Sequence, residues 1–97
     1  ISWKSIREFL EESLDDTTED KIIDISKNIV GVTNPHDLRT RKIGNTFAVD
    51  LHIEVDKELN VEQAHNISTS VEDGIKEFLG ETTFVSIHIE PCEKCNN

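Results

Sequence analysis

Four histidines, each close in sequence to carboxylates, are the residues of this chain best suited to chemistry: His36, His52, His65 and His88. Imidazole and carboxylate groups are the ligands that zinc and related divalent transition metals accept in proteins. No metal-binding signature joins the four in sequence. Their use therefore depends on whether folding brings them together. If it does not, they are ordinary surface histidines.

Two segments with alternating apolar and polar residues predict strands that carry two of these histidines. In Phe47–Val55 the odd-numbered residues are apolar, and His52 lies on the opposite, polar side. Thr83–Glu90 repeats the pattern, with His88 and Glu90 on its polar side. If the two strands are neighbours, about 4.8 Å apart, these three side chains converge into a candidate metal site. An open polar face that binds nothing is the alternative.

The other two histidines are placed less firmly by the pattern. His36 follows Pro35 in a loop or irregular start of a strand. His65 lies on the flank of a predicted helix, roughly 100° from the centre of its apolar stripe, where a solvated side chain is the usual outcome.

Apolar residues spaced three and four apart predict three helices. They cover residues 3–14, a segment that begins near Thr18 and ends before Gly31, and a segment that Asn60 caps and Gly80 ends. A short strand in residues 32–40 precedes a turn at Gly44-Asn45 and can form a hairpin with the strand of His52.

After the leading helical segment, the order of elements is therefore helix, strand, strand, helix, strand. The sequence predicts an α+β fold, αββαβ, with a mixed three-stranded sheet and both helices on its apolar face. The third strand follows a helical crossover and should run parallel to the second through a right-handed connection.

Length and charge restrict the kind of protein. The 97 residues make one small domain, and 20 acidic against 10 basic residues give a net charge of −10. This balance argues against nucleic acid as a partner and against docking on an anionic membrane surface. No apolar run approaches the roughly 20 residues of a membrane helix. The chain contains no methionine, so we expect a fragment or a processed product.

Neither nucleophilic catalysis nor a disulfide framework is indicated. The sequence has no glycine-rich phosphate loop and no serine in a nucleophile elbow, so we do not expect an enzyme. A small metallohydrolase that activates water on a metal is an alternative. Cys92 and Cys95 are the only cysteines. They are interpreted as a reduced tail, because a thiolate metal site needs two further ligands that the local sequence lacks.

Four stretches, in this order, resemble the cytosolic C-terminal domain of cation diffusion facilitator transporters: Pro35–Arg41 with the following Gly44, Val49–Val55, Glu62–His65 and Val85–Pro91. The resemblance covers residues 18–91. It implies a metallochaperone-like, ferredoxin-related open α/β fold and a homodimer. It further implies that residues 1–17 link this domain to a transmembrane transport domain, that residues 18–91 bind metal and dimerise, and that residues 92–97 are a tail.

The resemblance also implies a ligand set. The metal ligands of the family fall on His36, His52, His65 and His88, and Glu90 stands where the family often has aspartate. Full-length members are membrane exporters that exchange divalent metal, most often zinc, for protons. We therefore interpret the chain as the cytoplasmic regulatory domain of a divalent cation exporter, which binds Zn²⁺ or another divalent transition metal. A freestanding metallochaperone or metal-sensing domain is the alternative.

Overall fold

Two helices and three strands make up residues 13–93, the part of the chain that the computed structural model describes. They are α1 (Asp16–Lys27), β1 (Thr33–Ile43), β2 (Thr46–Asp56), α2 (Val61–Leu79) and β3 (Phe84–Cys92). This order confirms the predicted αββαβ arrangement. The helix predicted for residues 3–14 falls almost entirely outside the described residues.

The sheet has the order β1-β2-β3, so β2 is its central strand. β1 pairs antiparallel to β2 after the turn at Gly44, and β3 pairs parallel to β2 after the crossover through α2. Both pairings agree with the sequence prediction. Pro35 lies in β1 and Pro91 in β3, which are the outer strands, where a missing N–H group is tolerated.

The core lies between the helices and the odd-numbered side of β2. Its buried members are Val49, Leu51, Ile53 and Val55 of β2, Ile22 of α1, and Val71 and Ile75 of α2. Because successive side chains of a strand point to opposite faces, burying this side leaves the even-numbered residues of β2 on the other face. That face carries the candidate site.

The observed ends of the two helices differ in part from the sequence prediction. The side chain of Asp15 accepts a hydrogen bond from the backbone N–H of Thr18 at 2.8 Å and caps α1. α1 ends at Lys27, not at Gly31, so Val30 leaves the helical stripe and is 92% exposed. At the start of α2, Val61 is apolar but lies off the buried side of the helix and is 86% exposed.

Gly31 instead allows the turn between α1 and β1 to approach α2. Its φ of 98° lies in the region that favours glycine. A Cβ atom at this position would lie 2.6 Å from the Cδ1 atom of Ile67.

The C-terminal end of β3 also departs from the prediction. Cys92 belongs to the strand, is buried, and is disulfide-bonded, so the interpretation of a reduced tail is wrong for this residue. The strand extends beyond the predicted end at Glu90 because the ladder with β2 continues as far as Cys92 opposite Asp56. Cys95 lies outside the described residues.

A buried hydroxyl joins the N-terminal segment to β1. Thr40 is 3% exposed, and its Oγ1 atom accepts a hydrogen bond from the backbone N–H of Leu14 at 3.1 Å. The same hydroxyl donates to the Oε2 atom of Glu19 at 2.5 Å. One side chain therefore ties together the segment before α1, α1 itself and β1.

We expect Thr40→Val to destabilise the domain by about 1–3 kcal/mol, because it leaves a buried N–H group and a carboxylate without this partner. Thr40→Ser retains the hydroxyl and is the matched control. Urea unfolding followed by circular dichroism measures the free energy of unfolding of both variants. A loss in Thr40→Ser with none in Thr40→Val would show that the methyl group, and not the hydroxyl, stabilises the fold.

Candidate metal site

Three of the four histidines form one row across the sheet. His36 of β1 is the register partner of His52 of β2, and His52 is the register partner of His88 of β3. The rings of His52 and His88 are stacked with centroids 4.5 Å apart, and those of His36 and His52 are tilted with centroids 5.5 Å apart. The structure thus confirms the predicted convergence of His52 and His88 on one polar face.

His36 reaches this row because β1 is irregular. From Ile43 back to Arg39, which is opposite Asp50, the pairing with β2 is regular. Continued unchanged, this register would put His36 opposite Ile53, on the core side of the sheet. A register shift between His36 and Arg39 moves it by one residue, to His52 and the polar face.

Two residues with left-handed backbone conformation accompany the irregular part of β1. Asp37, inside the shift just described, has a φ of 51°. Asn34, inside a second shift between Thr33 and His36, has a φ of 48°. Asparagine and aspartate adopt this conformation more readily than other residues with a side chain. The local sequence Asn-Pro-His-Asp is therefore suited to a strand that bulges on both sides of its histidine.

Glu90 lies between two of the imidazoles. One carboxylate oxygen, Oε2, is 2.7 Å from Nδ1 of His52, and the other, Oε1, is 3.3 Å from Nε2 of His36. All three side chains are between 30% and 41% exposed. Within residues 13–93, His36, His52 and Glu90 each offer one potential metal-ligand atom, and these three atoms all lie within 4.8 Å of one another.

Asp50 is a member of this face that sequence reasoning did not assign to the site. Its Oδ1 atom is 3.9 Å from Nε2 of His88, too far for a hydrogen bond. The signal was present in the sequence, since Asp50 lies two residues before His52 and shares its side of the strand. Regular pairing also places Asp50 beside Ser86, the residue two before His88.

His65 is not brought to the other three histidines within one chain. It is exposed on α2, the helix whose Val71 and Ile75 pack on the opposite, apolar side of the sheet. The five predicted ligands are therefore divided: His36, His52, His88 and Glu90 share one face, and His65 lies on another layer.

Charge and hydrogen bonding shift the proton affinities of two members of the site. The backbone carbonyl of Asn34 accepts a hydrogen bond from Nδ1 of His36 and raises the pKa of that ring, and the negative charge of Glu90 adds to the effect. The hydrogen bond from His52 lowers the pKa of the Glu90 carboxyl group. The site thus favours an ionised Glu90 carboxylate with a positively charged His36 ring beside it.

This arrangement suits a divalent cation. Zinc bonds of about 2.1 Å at the tetrahedral angle put two ligand atoms about 3.4 Å apart, close to the distance between His36 and Glu90. The two nitrogens and the carboxylate are partly exposed, so water or a further side chain has access to complete the coordination. Ring nitrogens and carboxylate oxygens together accept zinc, cobalt, nickel, manganese and iron.

Comparison with known proteins identifies the family. The family model described as the cytoplasmic domain of cation efflux proteins matches residues 14–92. The chain belongs to this family. The predicted family, the fold and the cytoplasmic location of the domain are therefore confirmed. No helix in residues 13–93 is long and apolar enough to span a bilayer.

Relatives of this cation efflux domain are longer proteins. The cation-efflux pump FieF of Salmonella typhi and that of Escherichia coli strain K12 / DH10B are each 36% identical to it over 93 residues. These matches cover 95% of the chain and 30% of each pump. The chain thus spans less than a third of the curated relatives that it matches.

Solved structures of the MamM CTD have the same fold. A cysteine-to-serine variant superposes with a TM-score of 0.73 at 28% identity, over 80% of this chain and 96% of the other. A variant described as a nickel form superposes with a TM-score of 0.73 at 25% identity, over 81% of this chain and 100% of the other. Another variant is described as a cadmium form.

We expect Glu90→Gln to lower the pKa of His36 in the metal-free domain, because it removes one of the negative charges that favour the imidazolium form. Titration of the His36 ring signals by NMR measures this. The raised pKa means that the charged ring stabilises the folded domain fully below its unfolded pKa, and that this contribution is lost as the pH rises through the folded value. Glu81→Gln, on the loop after α2, is the control, and an equal shift in both variants would exclude a local effect of Glu90.

Proposed function

We propose that the domain binds divalent cations, Zn²⁺ foremost, on the histidine face, and thereby regulates a cation exporter of which it is the cytoplasmic part. The observation that carries the proposal is the position of Glu90, whose two oxygens each face an imidazole nitrogen, one of His52 on β2 and one of His36 on β1. His36, His52, His88 and Glu90 supply the ligands, with Asp50 beside His88.

The metal-free contacts of Glu90 favour replacement by a cation. In the metal-free protein, protons on His52 and His36 link the two imidazoles to the carboxylate. A divalent ion placed among the same atoms makes the same attractions without those protons. Binding should therefore release protons, and affinity should fall as the pH drops through the raised pKa of His36.

Zinc is proposed first because the site combines imidazole nitrogens with carboxylate oxygens and has no geometry that demands six oxygen ligands. The same donors accept other divalent transition metals, and the MamM CTD variants described as nickel and cadmium forms have the same fold. Which metal binds in the cell thus depends on the relative affinities of the site for these ions and on their concentrations.

A homodimer explains the separate position of His65. Its side chain is exposed on α2, while the histidine face of the same chain has room for a further ligand. In the proposed dimer, His65 of the partner subunit completes the coordination on this face. One ion would then bind ligands from two chains. Tetrahedral zinc takes four ligands, so a site with three ligands from one chain needs one more.

Metal-dependent association provides the regulatory step. Each chain carries a net charge of −10, which opposes bringing two copies together. Divalent ions bound between the copies reduce this repulsion and favour the arrangement that holds more of their ligands. In a full-length exporter, that arrangement would set the spacing of the two cytoplasmic domains when cytosolic metal rises.

We expect His52→Ala and Glu90→Ala each to weaken zinc binding by more than about 10-fold, since each removes a direct ligand. Isothermal titration of chelator-stripped protein measures the affinity. Glu58→Ala removes the same charge from the loop after β2 and is the control. Unchanged affinity in both site variants would refute the assignment of the site.

We expect zinc to raise the dimer fraction of the wild-type domain, and His65→Ala to reduce it at the same zinc concentration, because the partner's ligand is lost. Sedimentation velocity at several protein concentrations, with zinc and with chelator, measures the effect. A wild-type domain that stays monomeric throughout would contradict the proposed regulation, even if each chain binds metal.

A further inference from the structure

Asn34 holds the ring of His36 through its backbone. The carbonyl oxygen of Asn34 lies 2.7 Å from Nδ1 of His36. A carbonyl oxygen only accepts hydrogen bonds, so Nδ1 must carry the proton. When the ring is neutral, Nε2 then has the free lone pair, and Nε2 is the atom that faces Glu90.

Glu54 in turn holds Asn34. The side-chain amide of Asn34 donates a hydrogen bond to Oε2 of Glu54 at 2.8 Å, between β1 and β2. Asn34 has a left-handed backbone conformation, with a φ of 48°, and this conformation fixes the direction of its carbonyl group. The cross-strand hydrogen bond stabilises a conformation that most residues with a side chain adopt only at an energetic cost.

The chain of contacts runs from β2 to the site. Glu54 is two residues after His52 and shares its face, and its register partner on β3 is Glu90. It does not belong to the group of potential ligands within 4.8 Å of one another in residues 13–93. Its carboxylate contacts Asn34 directly, and its negative charge also lies near the His36 ring.

From these contacts we infer that Asn34 and Glu54 are positioning residues for metal binding, which set the tautomer of His36 so that Nε2 is its ligand atom. The inference rests on the proposed metal site. Metal-binding histidines commonly donate their other ring N–H group to a carbonyl or carboxylate, and loss of such a partner costs about 10–100-fold in affinity. Here the partner of the His36 ring is the backbone carbonyl of Asn34. The direction of that carbonyl depends on the hydrogen bond between the side chains of Asn34 and Glu54.

The first experiment reads the tautomer without metal. Long-range proton–nitrogen NMR spectra of the metal-free domain, at a pH above the pKa of His36, should show Nδ1 protonated and Nε2 bare. In Glu54→Ala, and in Asn34→Gly, which keeps the left-handed backbone open, the Nε2-protonated form should become populated. A wild-type ring protonated at Nε2 would overturn the inference.

The second experiment is a double-mutant cycle on zinc affinity. We expect Glu54→Ala to weaken binding about 10–100-fold, and Glu54→Gln, which keeps an acceptor oxygen, to stay within a few-fold of wild type. In a His36→Ala background, Glu54→Ala should have no further effect. Glu58→Ala again controls for the lost charge.

The outcomes separate the two proposals. If the wild-type domain fails to bind zinc, the proposed function is refuted, while the NMR tautomer still tests the positioning role. If zinc binds and needs His36, but Glu54→Ala binds as tightly as wild type, only the positioning role is overturned. If Glu54→Gln loses as much affinity as Glu54→Ala, the charge of Glu54 and not its hydrogen bond to Asn34 acts on the site, and the inference is wrong.

Discussion

The central strand β2 is the constraint on which the rest of the structure depends. It pairs with β1 on one side and with β3 on the other, and its odd-numbered residues form the middle of the core. Burying that side against α1 and α2 fixes which way His52 points, because the side-chain period of a strand is two. A slip of one residue would bury His52 and expose Leu51, so the hydrophobic core and the candidate site are specified by the same register.

The site is built from the outer strands toward this centre. β3 runs parallel to β2 in register and brings His88 beside His52 without any irregularity. β1 bulges once before His36 reaches the same row and once more beyond it, and Asp37 and Asn34 supply the left-handed backbone of these two bulges. The histidine on the irregular strand is also the one whose ring a neighbouring carbonyl holds. The irregular backbone and the hydrogen bond to the Asn34 carbonyl together fix the direction of the His36 side chain, although β1 is an edge strand.

Exposure of the site is consistent with a regulatory role. A catalytic metal site gains from a cleft that excludes water, whereas this one lies on a sheet face with its ligands 30–51% exposed. An open face with spare coordination suits an ion that joins two surfaces. In the proposed dimer, the net charge of −10 on each chain would make such joining depend on the ion. The family to which the domain belongs is that of the cytoplasmic domains of cation efflux proteins.

The sequence by itself determined the element order, the capping of α2 by Asn60 and the shared face of His52, His88 and Glu90, because these follow from local periodicity and strand parity. Parity also placed Asp50 on that face, although only the 3.9 Å contact with His88 brought it to the site. The place of His36 could not be read from the pattern, since the regular register of the hairpin points it toward Ile53 and the core. Only the tertiary structure decided it, through a bulge between His36 and Arg39 whose position depends on how β1 pairs with β2. The separation of His65 from the row was already implied by the predicted layers, because α2 packs on the apolar side of the sheet while the other three histidines lie on its polar side.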